Sequence, residues 1–300
     1  MVSIEEKTSR YRIVPINFNT SYNPPWGVKM TGPSTASTSW LSAWMTAQSI
    51  YLWGAADLRE FSTPLDRNGE QYPSAISMAM AMDPKIMATI QQGPNQNYAD
   101  EYARVNMRIN ALSVSLTAEI RKRGYRAHPL AASERTDTVY IRGDFPHKTA
   151  ATRAGVGWIG RHCQLITREF GSWVRLGTVF TDMALRSGSP VDRSYCGRCT
   201  RCVDACPADA LIGNAWHAGV PREEILDVRA CDRWKKEHYS QYHNGHNCGI
   251  CSAVCPYGLK VLRRKRASDS QSKEETTIEN HRHARGHELG VDGKLLPGVK

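Results

Sequence analysis

Eight cysteines in the second half of the chain carry the clearest chemistry. The run CGRCTRCVDACP places Cys196, Cys199, Cys202 and Cys206 at steps of three, three and four, with Pro207 behind the last. NCGICSAVCPYG adds Cys248, Cys251 and Cys255 followed by Pro256, and Cys231 stands between the two runs. At this spacing three close thiolates reach three irons of one 4Fe-4S cube, and the fourth cysteine points to a second cube. By that crossover logic Cys196, Cys199, Cys202 and Cys255 hold one cluster, and Cys206, Cys231, Cys248 and Cys251 hold the other. Zinc is the rival for C-x2-C pairs, but it favours separate four-cysteine knuckles and leaves both C-x3-C-P endings unexplained. A disulfide framework is the other alternative, though 300 residues bury a core without one. Two clusters in one small fold carry electrons, one at a time. Gly197, Gly249 and Gly258 are expected to let backbone approach the sulfides, and Ala205, Ala208, Ala210 and Ile212 to pack on a cube. The ninth cysteine, Cys163, reads as a buried free thiol.

GVGWIG, residues 155–160, has the glycine spacing of a dinucleotide loop. That fingerprint needs a preceding strand, a following helix and an acidic residue about 20 positions on. The preceding HKTAATRA is helical in character, and Trp158 and Ile159 occupy positions that should face phosphate. The glycines are read instead as permitting a tight reversal against a bulky partner, with Trp158 packed beneath.

The surrounding elements must position these groups. Residues 1–55 form an arm rich in Pro, Ser, Thr and Asn, then a helix over Trp40–Trp53 that Gly54 would end. YPSAISMAMAM, residues 72–82, alternates as a strand. Val105, Ile109, Leu112, Leu116 and Ile120 give a helix over 100–123 with Gly124 as its left-handed cap. TVYI, residues 138–141, reads as a strand, 147–154 as a helix stopping at Gly155, and LIT and VRLGTVF as strands around a turn at Glu169–Gly171. The texture changes near 185–192. The expected division is therefore a domain over 56–188, a cysteine-rich domain over 189–266 and a tail over 267–300, whose His281, His283 and His287 could bind metal only adventitiously.

An apolar fraction of 41% without a run of about 20 apolar residues argues against a membrane span. The opening MVSIEEKTSRYR has acids before any apolar segment, so neither a Sec nor a twin-arginine leader is expected and the expected location is the cytoplasm. The formal charge of +10 falls to about +6 once two oxidised clusters are counted, too little to establish a nucleic-acid partner. The basic run KVLRRKR at 260–266 reads first as a solvated helix end.

TRAGVGWIGRHCQLITREFGSWVRLGTVFTD followed by CGRCTRCVDACPADAL resembles the epoxyqueuosine reductases and, more loosely, the reductive dehalogenases. The likeness runs from about residue 72 to 262. It implies an α+β chain: a nitroreductase-like α/β domain holding a base-off cobalamin, followed by a ferredoxin-like domain with two 4Fe-4S clusters. It also implies a reductase fed by an external low-potential donor of ferredoxin or flavodoxin type, with electrons passing through both clusters to cobalt and on to a small molecule or modified nucleoside. On this likeness Gly155, Gly157, Trp158, Gly160 and Arg161 border the cofactor, and Arg175 meets an acidic group of cofactor or substrate. Asp144, in RGDFPHKTAATRAG, matches the family's proton-donating carboxylate if a short gap is allowed; His147 and Lys148 beside it, or Tyr140, are the other candidate donors. Two further readings stay open: an electron-transfer activator that reduces a partner's corrinoid or flavin, and a tRNA-modifying reductase.

Overall fold

The computed structural model describes residues 39–242, 247–267 and 269–270. The arm before residue 39 and the histidines of the tail lie outside the described residues. Four antiparallel strands form the central sheet in the order β1-β2-β6-β3: β1 Leu52–Asp57, β2 Ser74–Ala81, β3 Ala127–Leu130 and β6 Val174–Thr181. Alternation along β2 sorts its side chains between two layers. Ala75 and Ala79 join Phe180 and the alanines Ala150, Ala151 and Ala154 on one face. Ile76 and Met78 join Val179 and the helix residues Ile109, Leu116 and Ile120 on the other. The sheet is thus sandwiched between α4 (His147–Arg153) and the pair α1 (Ser39–Ala47) with α3 (Gln96–Lys122).

The periodic residues of α3 face the core as expected. Its N-terminus is capped by Asn95, whose side chain accepts from the Tyr98 N–H at 3.0 Å, and Gly124 follows its C-terminus at φ +84°. The first helix is shorter than its apolar pattern predicts. It stops at Ala47, Ser49 turns the chain at φ +58°, and Gly54 sits inside β1 paired with Ser77. The glycine is needed there because a Cβ would lie 2.5 Å from the Ala154 carbonyl oxygen, so α4 rests directly on the strand. TVYI is a turn, not a strand. Asp137 accepts from the backbone N–H groups of Val139 and Tyr140 at 3.0 and 2.9 Å, and this local pairing overrides the β-propensity of the segment.

The cysteine-rich segment contributes α5 (Arg201–Asp204), α6 (Val228–His238), α7 (Ile250–Ala253) and a helix through residues 256–267. It is locked to the sheet by two interleaved turns. A Cβ on Gly171 would meet backbone atoms of Tyr257 and Gly258 at 2.4 Å, and one on Gly258 would meet Trp173 Nε1 and Cε2 at 2.4 Å. Gly258, expected to make room for a sulfide, makes room for this tryptophan. Gly258→Ala is accordingly predicted to destabilise the chain by ~1–3 kcal/mol through overpacking, read as a lower denaturant midpoint.

Candidate redox site

All nine cysteines are free thiols. Burial pushes the Cys202 thiol up to about 12, and the thiols of Cys196, Cys255 and Cys199 add to it. Burial raises Cys251 well above its ordinary value, with Cys248, Cys231, Cys202 and Cys206 as the thiols that weigh on it, and Cys248 reaches about 11 beside Cys231 and Cys206. Cys196, Cys199 and Cys255 therefore lie near Cys202, and Cys206, Cys231 and Cys248 near Cys251, with Cys202 also close to Cys251. Buried thiols this reluctant to ionise become thiolates when a metal supplies the compensating charge. Among the described residues no three His, Cys, Asp or Glu side chains converge on a point where one ion could sit. Gly197, at φ +58°, has no atom within 4 Å of where its Cβ would lie, and Gly249, at φ +83°, is hemmed in by Ile90 and Tyr98. Ala210 is buried as expected; Ile212 is 53% exposed and does not pack on a cube.

Beside the cysteines lies a cleft of about 230 Å³ whose lining includes Ser133, Asp144, His147, Lys148, Ser172 and Arg175. Ser172 joins it to the cysteine segment. Its Oγ donates to the Ser252 carbonyl at 3.0 Å, Ser252 Oγ donates back to the Ser172 carbonyl at 2.9 Å, and Trp173 Nε1 donates to the same Ser252 carbonyl. Burial raises the Cys255 thiol above its ordinary value, and Ser172 with the backbone N–H groups of Tyr257 and Gly258 partly offsets it.

Arg175 is held by partners that pattern reading missed. Its Nε donates to Asn106 Oδ1 at 2.8 Å and its Nη2 to the Tyr102 hydroxyl at 2.9 Å and to Ser133 Oγ, with the guanidinium 4.0 Å from the Tyr102 ring centre. Burial pushes the Tyr102 phenol up, but Arg175 together with Ser133, Asn106 and Lys235 outweighs it and draws the phenol below its ordinary value. Tyr102 and Asn106 stand four apart on one face of α3, the available signal that they share a partner.

Asp144 is exposed at the cleft, while Tyr140 is 58% exposed in the Asp137 turn and does not line it. His147 bonds at both nitrogens. Nε2 meets the Ala131 carbonyl at 3.2 Å and so carries the proton, and Nδ1 accepts from Thr178 Oγ1 at 2.8 Å. Burial brings this ring down to about 4, so it is neutral near pH 7 with no spare N–H. Lys148 Nζ donates to the carbonyl of Cys163 and, at 3.3 Å, to its Sγ. Cys163 is buried, as predicted, and sits at φ +59°.

The GVGWIG loop faces the cysteines, and none of its residues lines the cleft. A helix precedes it, which rules out the strand-to-glycine entry of a dinucleotide site. Its bulky partner is the chain itself: a Cβ on Gly157 would lie 2.2 Å from the Ile166 carbonyl oxygen, and one on Gly155 2.7 Å from that of Ser189. Pairing of β4 (Trp158–Ile159) with β5 (Leu165–Ile166) sets the direction of Trp158, which packs against Cys255 and Cys196. Arg161 reaches across to the Gly213 carbonyl and, at 2.8 Å, to the Gly197 carbonyl. Among the described residues, the buried Nε1 of Trp158, Nε of Arg161 and Nε2 of His162 have no hydrogen-bond partner.

A family model described as a 4Fe-4S double cluster binding domain matches residues 195–258. Among curated proteins, the chain is 35% identical over 138 residues to an epoxyqueuosine reductase of Gloeobacter violaceus, covering 42% of this chain and 40% of that one. It is 27% identical over 217 residues to the epoxyqueuosine reductase of Aliivibrio fischeri, covering 65% and 53%. The chain thus spans about 40% of the length of the first curated relatives it matches. Among solved structures, a catabolic reductive dehalogenase in complex with 3-bromo-4-hydroxybenzoic acid superposes with a TM-score of 0.59 at 16% identity, over 82% of this chain and 36% of that one. The shared architecture is a mixed α/β fold with an iron-sulfur domain. No described helix is long and apolar enough to cross a membrane. The cysteine runs, the family model and the curated relatives agree: over the matched segments the chain is similar to epoxyqueuosine reductases, and its fold is similar to that of the reductive dehalogenase.

Proposed function

We propose that the chain is a reductase that passes electrons from an external low-potential donor, through two 4Fe-4S clusters, to a corrinoid and an organic substrate at the cleft. The observation that carries this reading is Ser172, which lines the cleft and bonds to the carbonyl of Ser252 in the cysteine segment, three residues before Cys255. The two thiol groups fit two clusters. For the corrinoid the fit is that of one edge. The cleft offers hydroxyl, amide and cationic groups from Ser133, Gln164, Lys148 and Arg175 to an amide-rich ring, but its volume is below that of an ordinary drug-sized site. When bound, the clusters supply single electrons and the corrinoid a strongly nucleophilic reduced metal.

The chain's own residues supply position and protons. Arg175, fixed by Asn106, Tyr102 and Ser133, orients an acidic or polar group in the cleft. Asp144 is the proton donor at its rim. His147, with both nitrogens bonded, holds α4 to β6 through Thr178. Oxygen-free protein incubated with cobalamin and then desalted is expected to keep the spectrum of a base-off corrinoid. Loss of all cobalamin under reducing conditions would refute a resident corrinoid.

The small cleft volume favours a second reading, an electron-transfer activator that reduces a partner's corrinoid or flavin. Such a protein would retain clusters and no cobalamin, and would accelerate reduction of an added corrinoid protein. The exposed Arg263, Arg264 and Arg266 favour a third, a tRNA-modifying reductase. Neutralising these three with Lys265 would then weaken tRNA retention and flatten its salt dependence.

A further inference from the structure

The GVGWIG loop ends with buried donors that the reading above does not use. Trp158 is 2% exposed, and its indole N–H has no acceptor among the described residues. Its ring lies edge-on to two tyrosines, 5.3 Å from Tyr195 and 4.9 Å from Tyr257, and packs on Cys255 with Cys196 alongside. Arg161 uses both terminal nitrogens on carbonyls of the cysteine segment, one of them Gly197 next to Cys196, and its Nε–H is buried without a partner. Buried polar groups are almost always paired, so two orphaned donors beside one group of thiols require an acceptor. The acceptors that a 4Fe-4S cube presents to its surroundings are its sulfides and the cysteine sulfurs.

We propose that Trp158 Nε1–H and Arg161 Nε–H donate to sulfur atoms of the cluster held by Cys196, Cys199, Cys202 and Cys255, and that this loop sets that cluster's potential. The inference rests on the two-cluster reading and adds a role to it. Gly157 and Gly160 fold the loop flat against Ile166, and the β4-β5 pairing turns the indole toward the cysteines. A one-electron reduction adds negative charge that spreads over the cluster sulfurs. Donors aimed at those sulfurs favour the reduced form and raise its potential. The glycine pattern that imitates a nucleotide loop is thus a device for tuning iron and sulfur.

The test is a potentiometric titration, followed by EPR, of anaerobically prepared wild-type protein, Trp158→Phe and Arg161→Lys. Phenylalanine keeps an aromatic ring and removes the N–H; lysine keeps the charge and removes Nε–H. Each variant is expected to retain wild-type iron content. Each should shift the reduction equilibrium of one cluster about tenfold toward the oxidised form, ~59 mV lower for one electron. The shifted signal should be the one altered by Cys199→Ser, with the other unmoved. If one variant loses iron, the other decides. Unchanged potentials at full iron, an upward shift, or an equal shift of both clusters overturns the proposal. Wild-type protein that assembles no clusters overturns the underlying function instead, so the two failures are distinct.

Discussion

Replacing Cys251 by alanine is expected to remove one of the two clusters and halve the iron bound, from about eight to about four per chain. Cys251 lies near Cys248, Cys231, Cys202 and Cys206, and burial holds its thiol well above its ordinary value, with those four cysteines adding to the effect. Without its thiolate the group of Cys206, Cys231 and Cys248 keeps three ligands around a buried space. Its cluster should be lost or reduced to a partial form. Electron delivery to the cleft should fall by more than about a hundredfold, the scale expected when a metal ligand or its support is removed. Cys163→Ser is the matched control. Cys163 is buried and pairs with Lys148, apart from the other eight cysteines, so iron content should be unchanged. Iron analysis and the EPR signals of dithionite-reduced protein report both outcomes. Full iron in Cys251→Ala would remove this residue from the ligand set.

Acid is expected to unfold the protein well above the ordinary carboxylate range. His147 and His162 are each brought down to about 4, burial being the main cause, with Arg175 adding at His147 and Lys148 at His162. An unfolded histidine takes its proton near pH 6.5. Between these values the unfolded chain binds more protons than the folded one, so stability is full above pH 6.5 and falls as the pH drops toward 4. The loss at pH 5 is about 2 kcal/mol for each ring, roughly 4 kcal/mol for the pair, an appreciable part of a typical folding free energy. Denaturant midpoints at pH 7 and pH 5 should show this drop, and His147→Gln should show about half of it. Equal pH dependence in the two proteins would mean that His147 does not titrate as a buried neutral ring.

The elements that could be read along the chain were those whose signal is local. The apolar spacing of α3 and the alternation of 72–82 each describe one face of one element, and both were found where the pattern puts them. TVYI and the stretch before Gly54 failed for the same reason. Each has the composition of one state, and a few polar or backbone interactions impose another: the Asp137 turn in one case, the pairing of β1 with β2 in the other. The iron-sulfur segment was legible because metal ligation constrains spacing within short runs, and a family model matches it over residues 195–258. The cleft was only partly so. Arg175, Asp144, His147 and Lys148 carry the chemistry one would seek, but Ser172 matters through Ser252, 80 positions away. Such a bond leaves no local trace. The glycines of GVGWIG and Gly258 mislead in the opposite direction, since their demand for space is set by Ile166, Ser189 and Trp173 and not by a cofactor.

Iron and acid-labile sulfide, counted per chain in protein purified without oxygen, test the account most directly. Two cubes require about eight of each. Stoichiometric zinc, or about four irons or fewer in the wild-type chain, would contradict the relay of electrons into the cleft.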